Sequence, residues 1–151
     1  MSQALDCHRL QVLPGKTSST STRSTHASDA ELEDTFVTNL RYAAERLERE
    51  GVLALIEAVN VRAKPGNWLS DPARAERIVR RVAHPNLRLQ FDVFHAQIIG
   101  DDLTRRIQDW APIIGHVQIA QVCMCNVISV VPVWLQITIT KGLSPIRLWK
   151  V

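Results

Sequence analysis

Cysteine is scarce in this sequence. Cys7, Cys123 and Cys125 are too few and too unevenly placed for a disulfide framework. No paired CxxC or Cys/His spacing suggests zinc, so a reducing, cytoplasmic setting fits best. An apolar signal core is missing from MSQALDCHRL, which argues against secretion. Long hydrophobic runs are lacking too. The stretch from Cys123 to Ile139 is apolar but broken by Asn126, Ser129, Pro132 and Gln136, and it falls short of the roughly 20 residues of a bilayer span; no membrane association is expected. The formal charge is +3 and the pI about 9.0, yet the basic residues form no block, so no nucleic-acid partner is expected. A phosphate-cradling loop is also absent: GKT occurs at 15–17, but the glycine required five residues before Gly15 is replaced by Leu10.

What is present describes an ordinary soluble domain, 151 residues long with 46% hydrophobic and 22% charged residues. Four short segments are rich in Val, Ile, Leu and Phe and read as strands: RLQVLP (9–14), VLALIEAVN (52–60), LRLQFDVFH (87–95) and GHVQIAQV (115–122). Helical patterns lie between them. Residues 29–50 place Leu32, Phe36, Leu40, Ala43, Ala44 and Leu47 on one stripe, with Ser28 and Glu31 at capping-box spacing. Residues 72–83 follow Asp71 as N-cap with Pro72 at the first helical position, and a shorter helix is expected over 102–110. The order βαβαβαβ implies parallel pairing with right-handed crossovers, in either a doubly wound sheet or part of a (β/α)8 barrel. A full barrel takes about 250 residues, so this chain supplies about half the units. Residues 15–28, rich in Ser and Thr, read as a solvated loop. Beyond Val122 the alternation stops and no Asp or Glu occurs.

Three polar residues interrupt the strands near their C-terminal ends: Glu57, Asp92 and Gln118. That edge of a parallel α/β sheet is where ligands bind. Two carboxylates and an amide oxygen form a hard, all-oxygen donor set suited to Mg2+ or Mn2+ and ill suited to zinc. Each residue also has a purely structural use. Glu57 could cap a loop or pair with Arg62, Asp92 could accept backbone N–H bonds in the turn after its strand, and Gln118 could serve its strand alone. His95 and His116 could be hydrogen-bonded pocket histidines.

Residues from about Arg9 to Val122 resemble the hydroxypyruvate isomerase family, within the xylose isomerase-like TIM barrels. The resemblance is carried by VTNLRYAAERLEREGVLALIEAVN, HPNLRLQFDVFHAQIIGDDLTRRI and WAPIIGHVQIAQV, and it covers about three-quarters of the chain. It implies an α/β fold with residues 1–122 as a partial (β/α)8 barrel of about four parallel βα units. Residues 123–151 are then a divergent, irregular apolar tail for which disorder is an open expectation. The activity implied is a metal-dependent interconversion of hydroxypyruvate and tartronate semialdehyde, an intramolecular oxidoreduction. Glu57 would be both metal ligand and acid/base, Asp92 and Gln118 further ligands of Mg2+ or Mn2+, and His95 and Arg62 the contacts to substrate.

Two departures bear on this. The family's early strands and its last carboxylate, a glutamate on a late strand that acts as second acid/base, have no counterpart here. The alternative reading is therefore an inactive fragment of the same family, or an interaction module that self-associates through open sheet edges.

Overall fold

A computed structural model describes residues 6–16, 27–100, 102–120 and 134–137. The elements are β1 (Arg9–Gln11), α1 (Asp29–Arg49), β2 (Leu53–Ile56), α2 (Pro72–Val82), β3 (Leu87–Asp92), α3 (Val93–Ile99), α4 (Leu103–Trp110), β4 (Ile114–Ala120) and β5 (Trp134–Ile137). The sheet order is β1-β2-β3-β4-β5. The first three pairings are parallel, as the alternating pattern requires, and they make half of a barrel wall. β5 pairs antiparallel with β4, so the apolar tail contributes one strand that its composition did not announce. The rest of that tail, and the expectation of disorder in it, lie outside the described residues.

The helix starts follow local chemistry. Ser28 Oγ accepts from the Glu31 backbone N–H, and the Glu31 carboxylate accepts from the Ser28 N–H at 2.7 Å, completing the capping box. Asp71 accepts from Ala73 N–H at 2.9 Å with Pro72 behind it. α1 buries Phe36, Val37, Leu40 and Ala44, while α2 buries Ala75, Ile78, Val79 and Val82. Leu32, expected on the stripe, is instead exposed at the α1 start. These faces pack against Ala54, Ile56, Leu87, Leu89 and Phe91 of the sheet in one core. Each large apolar side chain removed from water there contributes roughly 1.5–3 kcal/mol.

The strands are shorter than their apolar runs suggest. β2 stops at Ile56, one residue before Glu57, and β3 stops at Asp92. The reading of 87–95 as one strand is corrected here: residues 93–99 turn into α3, capped by Asp92 and ended by Gly100 in a left-handed conformation. Val93, Phe94, Ile98 and Ile99 are apolar enough to pass for a continuing strand.

One irregularity sets up the site. The register shifts between Leu89, opposite Ile114, and Gln90, opposite His116, leaving Gly115 as the extra residue. A Cβ on Gly115 would come within 2.5 Å of the Arg88 Cβ, so glycine is required by close approach. Without the shift Val117 would face Asp92; with it, Gln118 does.

Candidate functional site

Glu57 is the first residue past β2, Asp92 the last of β3, and Gln118 lies in β4 directly opposite Asp92. The amide of Gln90 joins two of them: its Nε2 donates to Glu57 Oε2 at 2.6 Å and to Gln118 Oε1 at 2.8 Å. Gln11 of β1 also donates to Glu57 Oε2. One oxygen of Glu57 is thus held by two amides from neighbouring strands. The other, Oε1, faces His95 Nε2 at 3.5 Å.

Asp92 has both of the uses that its position suggested. Its Oδ1 accepts from the backbone N–H groups of Phe94 and His95 at 2.8 and 3.4 Å, capping α3. Its Oδ2 looks toward His95 Nε2 at 3.8 Å. Carboxylate oxygens of Glu57 and Asp92 and a ring nitrogen of His95 all lie within 4.8 Å of one another, and all three residues are buried.

The electrostatics are unbalanced. Among the described residues no Lys or Arg pairs with Glu57 or Asp92. Burial, and then the neighbouring Asp92 charge, push the Glu57 carboxyl up to about 7, against the lowering effect of the Gln90 and Gln11 amides. Burial likewise lowers the basicity of His95, with Asp92 opposing. Two adjacent buried carboxylates with only amides and an imidazole beside them fit a divalent cation, which would supply the missing positive charge. Glu57, Asp92 and Gln118 offer oxygens for it.

Not every expected residue joins the cluster. Arg62 stands exposed in the turn after Asn60, with no ion pair to Glu57, so the pairing considered for these two is not formed. His116 is buried on the same strand face as Gln118 and opposite Gln90. Three contributors went unread in the sequence: Gln11, Gln90 and Asn60. A signal existed for two of them. Counting back two residues from Asp92 reaches Gln90 on the same face, and Gln11 interrupts the apolar run of β1 in the same way. Asn60, whose amide meets the His95 ring at 2.6 Å, depends on a tertiary contact that no local pattern reveals.

Parallel βα units with carboxylates gathered at the C-terminal strand ends define half of an α/β barrel. Residues 1–124 match the family described as xylose isomerase-like TIM barrel, and the chain belongs to that family. A Danio rerio protein provisionally named hydroxypyruvate isomerase is 44% identical over 121 residues, 80% of this chain and 43% of the relative. The hydroxypyruvate isomerase of Escherichia coli K12 is 38% identical over 118 residues, 78% of this chain and 43% of the relative. Among solved structures, an AP endonuclease, family 2, from Brucella melitensis superposes with a TM-score of 0.70 and 38% identity, over 79% of this chain and 43% of that one. The chain spans under half the length of these relatives. Among the described residues no helix is long and apolar enough to cross a membrane.

Proposed function

We propose that this chain carries half of a hydroxypyruvate isomerase site. Glu57, Asp92 and Gln118 hold Mg2+ or Mn2+, Glu57 moves the proton, and His95 and Arg62 bind a small 2-oxo acid substrate. The observation that carries the reading is the buried Glu57–Asp92 pair at the strand ends, without a cationic side chain among the described residues to offset it.

Hydroxypyruvate becomes tartronate semialdehyde when a proton leaves C3 and one is returned at C2, while the hydroxyl proton passes from O3 to O2; nothing is gained or lost. Glu57 suits the carbon proton, because a buried carboxylate at the strand ends both accepts and returns a proton. Gln11 and Gln90 hold Oε2, which leaves Oε1 to do this. A bound divalent ion would polarise the substrate carbonyl. His95 faces the same space and is assigned a substrate oxygen, and Arg62, in the exposed turn five residues after Glu57, the substrate carboxylate. Glu57 is thus one acid/base group of a two-group exchange.

The test is calorimetric titration of Mn2+ into the chain. The parent chain is expected to give saturable binding, and Glu57→Gln and Asp92→Asn each to weaken it at least tenfold. Equal affinity in all three would remove the site.

A further inference from the structure

The contact between Asn60 and His95 has no part in the proton transfer, yet it determines what His95 can offer. Both residues are buried, and Asn60 Nδ2 lies 2.6 Å from His95 Nδ1. Which end of the amide faces the ring is decided on its other side. The backbone N–H of Ala63 donates to Asn60 Oδ1 at 2.8 Å, so the end toward His95 is the NH2, which can only donate. A donor aimed at Nδ1 requires a lone pair there. The neutral ring with a lone pair on Nδ1 carries its hydrogen on Nε2, whereas an imidazolium would set two donors against each other. Nε2 is also the nitrogen that faces Glu57 Oε1 at 3.5 Å and Asp92 Oδ2 at 3.8 Å.

We propose that Asn60 is a positioning residue that locks His95 in the Nε2–H tautomer, so that the ring presents a donor rather than a lone pair to the Glu57–Asp92 centre. By distance alone His95 would qualify as a third ligand. With its lone pair turned toward Asn60 it does not, and the donor set stays all-oxygen although a ring nitrogen is within reach. Such a set favours Mg2+ or Mn2+ over Zn2+, which takes imidazole readily. The Nε2–H is then free to donate to an oxygen of a bound substrate. The chain behind the lock is short: Ala63 N–H fixes Asn60, Asn60 fixes His95, and the turn at 61–63 supplies the first link.

The tautomer rests on the Asn60 contacts alone; the ion preference rests also on the proposed function. Asn60→Asp separates them. An aspartate still accepts from Ala63 N–H but gives Nδ1 an acceptor, so Nδ1 should gain a proton. Long-range 1H–15N NMR of the histidine-labelled, metal-free full chain at pH 8 reads this directly. The parent chain is expected to show Nε2 protonated and Nδ1 bare, and Asn60→Asp to show Nδ1 protonated. A protonated Nδ1 in the parent overturns the proposal, and so does a bare Nδ1 in Asn60→Asp. Titrations with Zn2+ and Mn2+ follow, in which Asn60→Asp should raise the Zn2+-to-Mn2+ affinity ratio at least tenfold. An unchanged ratio overturns the ion-selecting part. Should neither chain bind either ion while the NMR result holds, the lock is supported and the metal reading of the site fails instead.

Discussion

On the helical surface, Glu33 of α1 faces three arginines of α2, whereas Glu57, just past β2, faces none among the described residues. Arg77 Nη2 and Arg81 Nη1 reach Glu33 at 3.1 and 3.5 Å, with Arg74 at 4.0 Å, and Arg81 also pairs with Asp34. Arg74 bonds Asp29 and, with the Trp68 indole N–H, holds that carboxyl below its usual range. The outer cluster is therefore internally neutralised. The inner pair, Glu57 and Asp92, is buried among amides and a histidine, and the Glu57 carboxyl moves the opposite way, up to about 7. A fold that places arginines so freely on one side of a helix pair, and none of the described ones beside its buried carboxylates, leaves the inner site needing further positive charge.

The sharpest way to break this contrast is the pH dependence of stability in the metal-free chain. Glu57 titrates at 4.5 when unperturbed and at about 7 when folded. Between these values the native state binds more protons than the unfolded one, so stability falls as pH rises. The loss is roughly 3 kcal/mol, complete by about pH 8. His95, whose basicity burial lowers, acts in the opposite sense below its usual range, so the clean quantity is a difference between two chains. Glu57→Gln keeps an acceptor for Gln11 and Gln90 and removes the charge. Urea midpoints at pH 5 and pH 8 should converge for Glu57→Gln and separate for the parent. A parent no more sensitive than the variant would mean that the inner pair is already compensated. Equal Mn2+ concentrations at pH 8 should raise the stability of the parent more than that of Glu57→Gln.

How far the sequence carries this contrast depends on how local each cause is. The Ser28–Glu31 box and the Asp71–Pro72 start are legible because cap and helix lie within four residues. Glu57, Asp92 and Gln118 are legible because a polar residue at the end of an apolar run is costly unless it has a use. α3 is not, since seven residues with an apolar majority give no helical period that separates them from a strand, and only the Asp92 cap and Gly100 mark its limits. The bond from Gln90 to Gln118 depends on the β3–β4 register, which the bulge at Gly115 alters, and the bond from Gln11 to Glu57 depends on the β1–β2 pairing. The Asn60–His95 contact spans 35 residues and required coordinates.

Asp92 offers a smaller and more discriminating test, because its two oxygens serve different ends. Asp92→Asn retains an oxygen to cap α3 but removes the charge beside Glu57, so the Glu57 midpoint should fall toward the ordinary carboxylate range. Asp92→Ala removes both and should cost about 1 kcal/mol more than Asp92→Asn, the usual value of a lost N-cap. Denaturation of the two variants at pH 5, where the charge effect is smallest, isolates the cap. Equal stabilities there would show that Oδ1 does not support the helix, and Asp92 would then serve the inner pair alone.

The smallest effect belongs to the outer cluster. Glu33→Gln breaks contacts with three arginines, yet Arg77 and Arg81 are about half exposed and remain hydrated. Exposed ion pairs contribute about 0.2–1 kcal/mol, and salt screens them. The substitution should therefore lower stability by less than 1 kcal/mol, by an amount that shrinks between low salt and 1 M NaCl. The Glu57→Gln difference at pH 8 should survive the same salt, because its cause is burial rather than long-range charge. If Glu33→Gln proved as costly as the pH effect at Glu57, and as indifferent to salt, the two clusters would be alike. The case for an inner site that needs an external cation would then lose its physical basis.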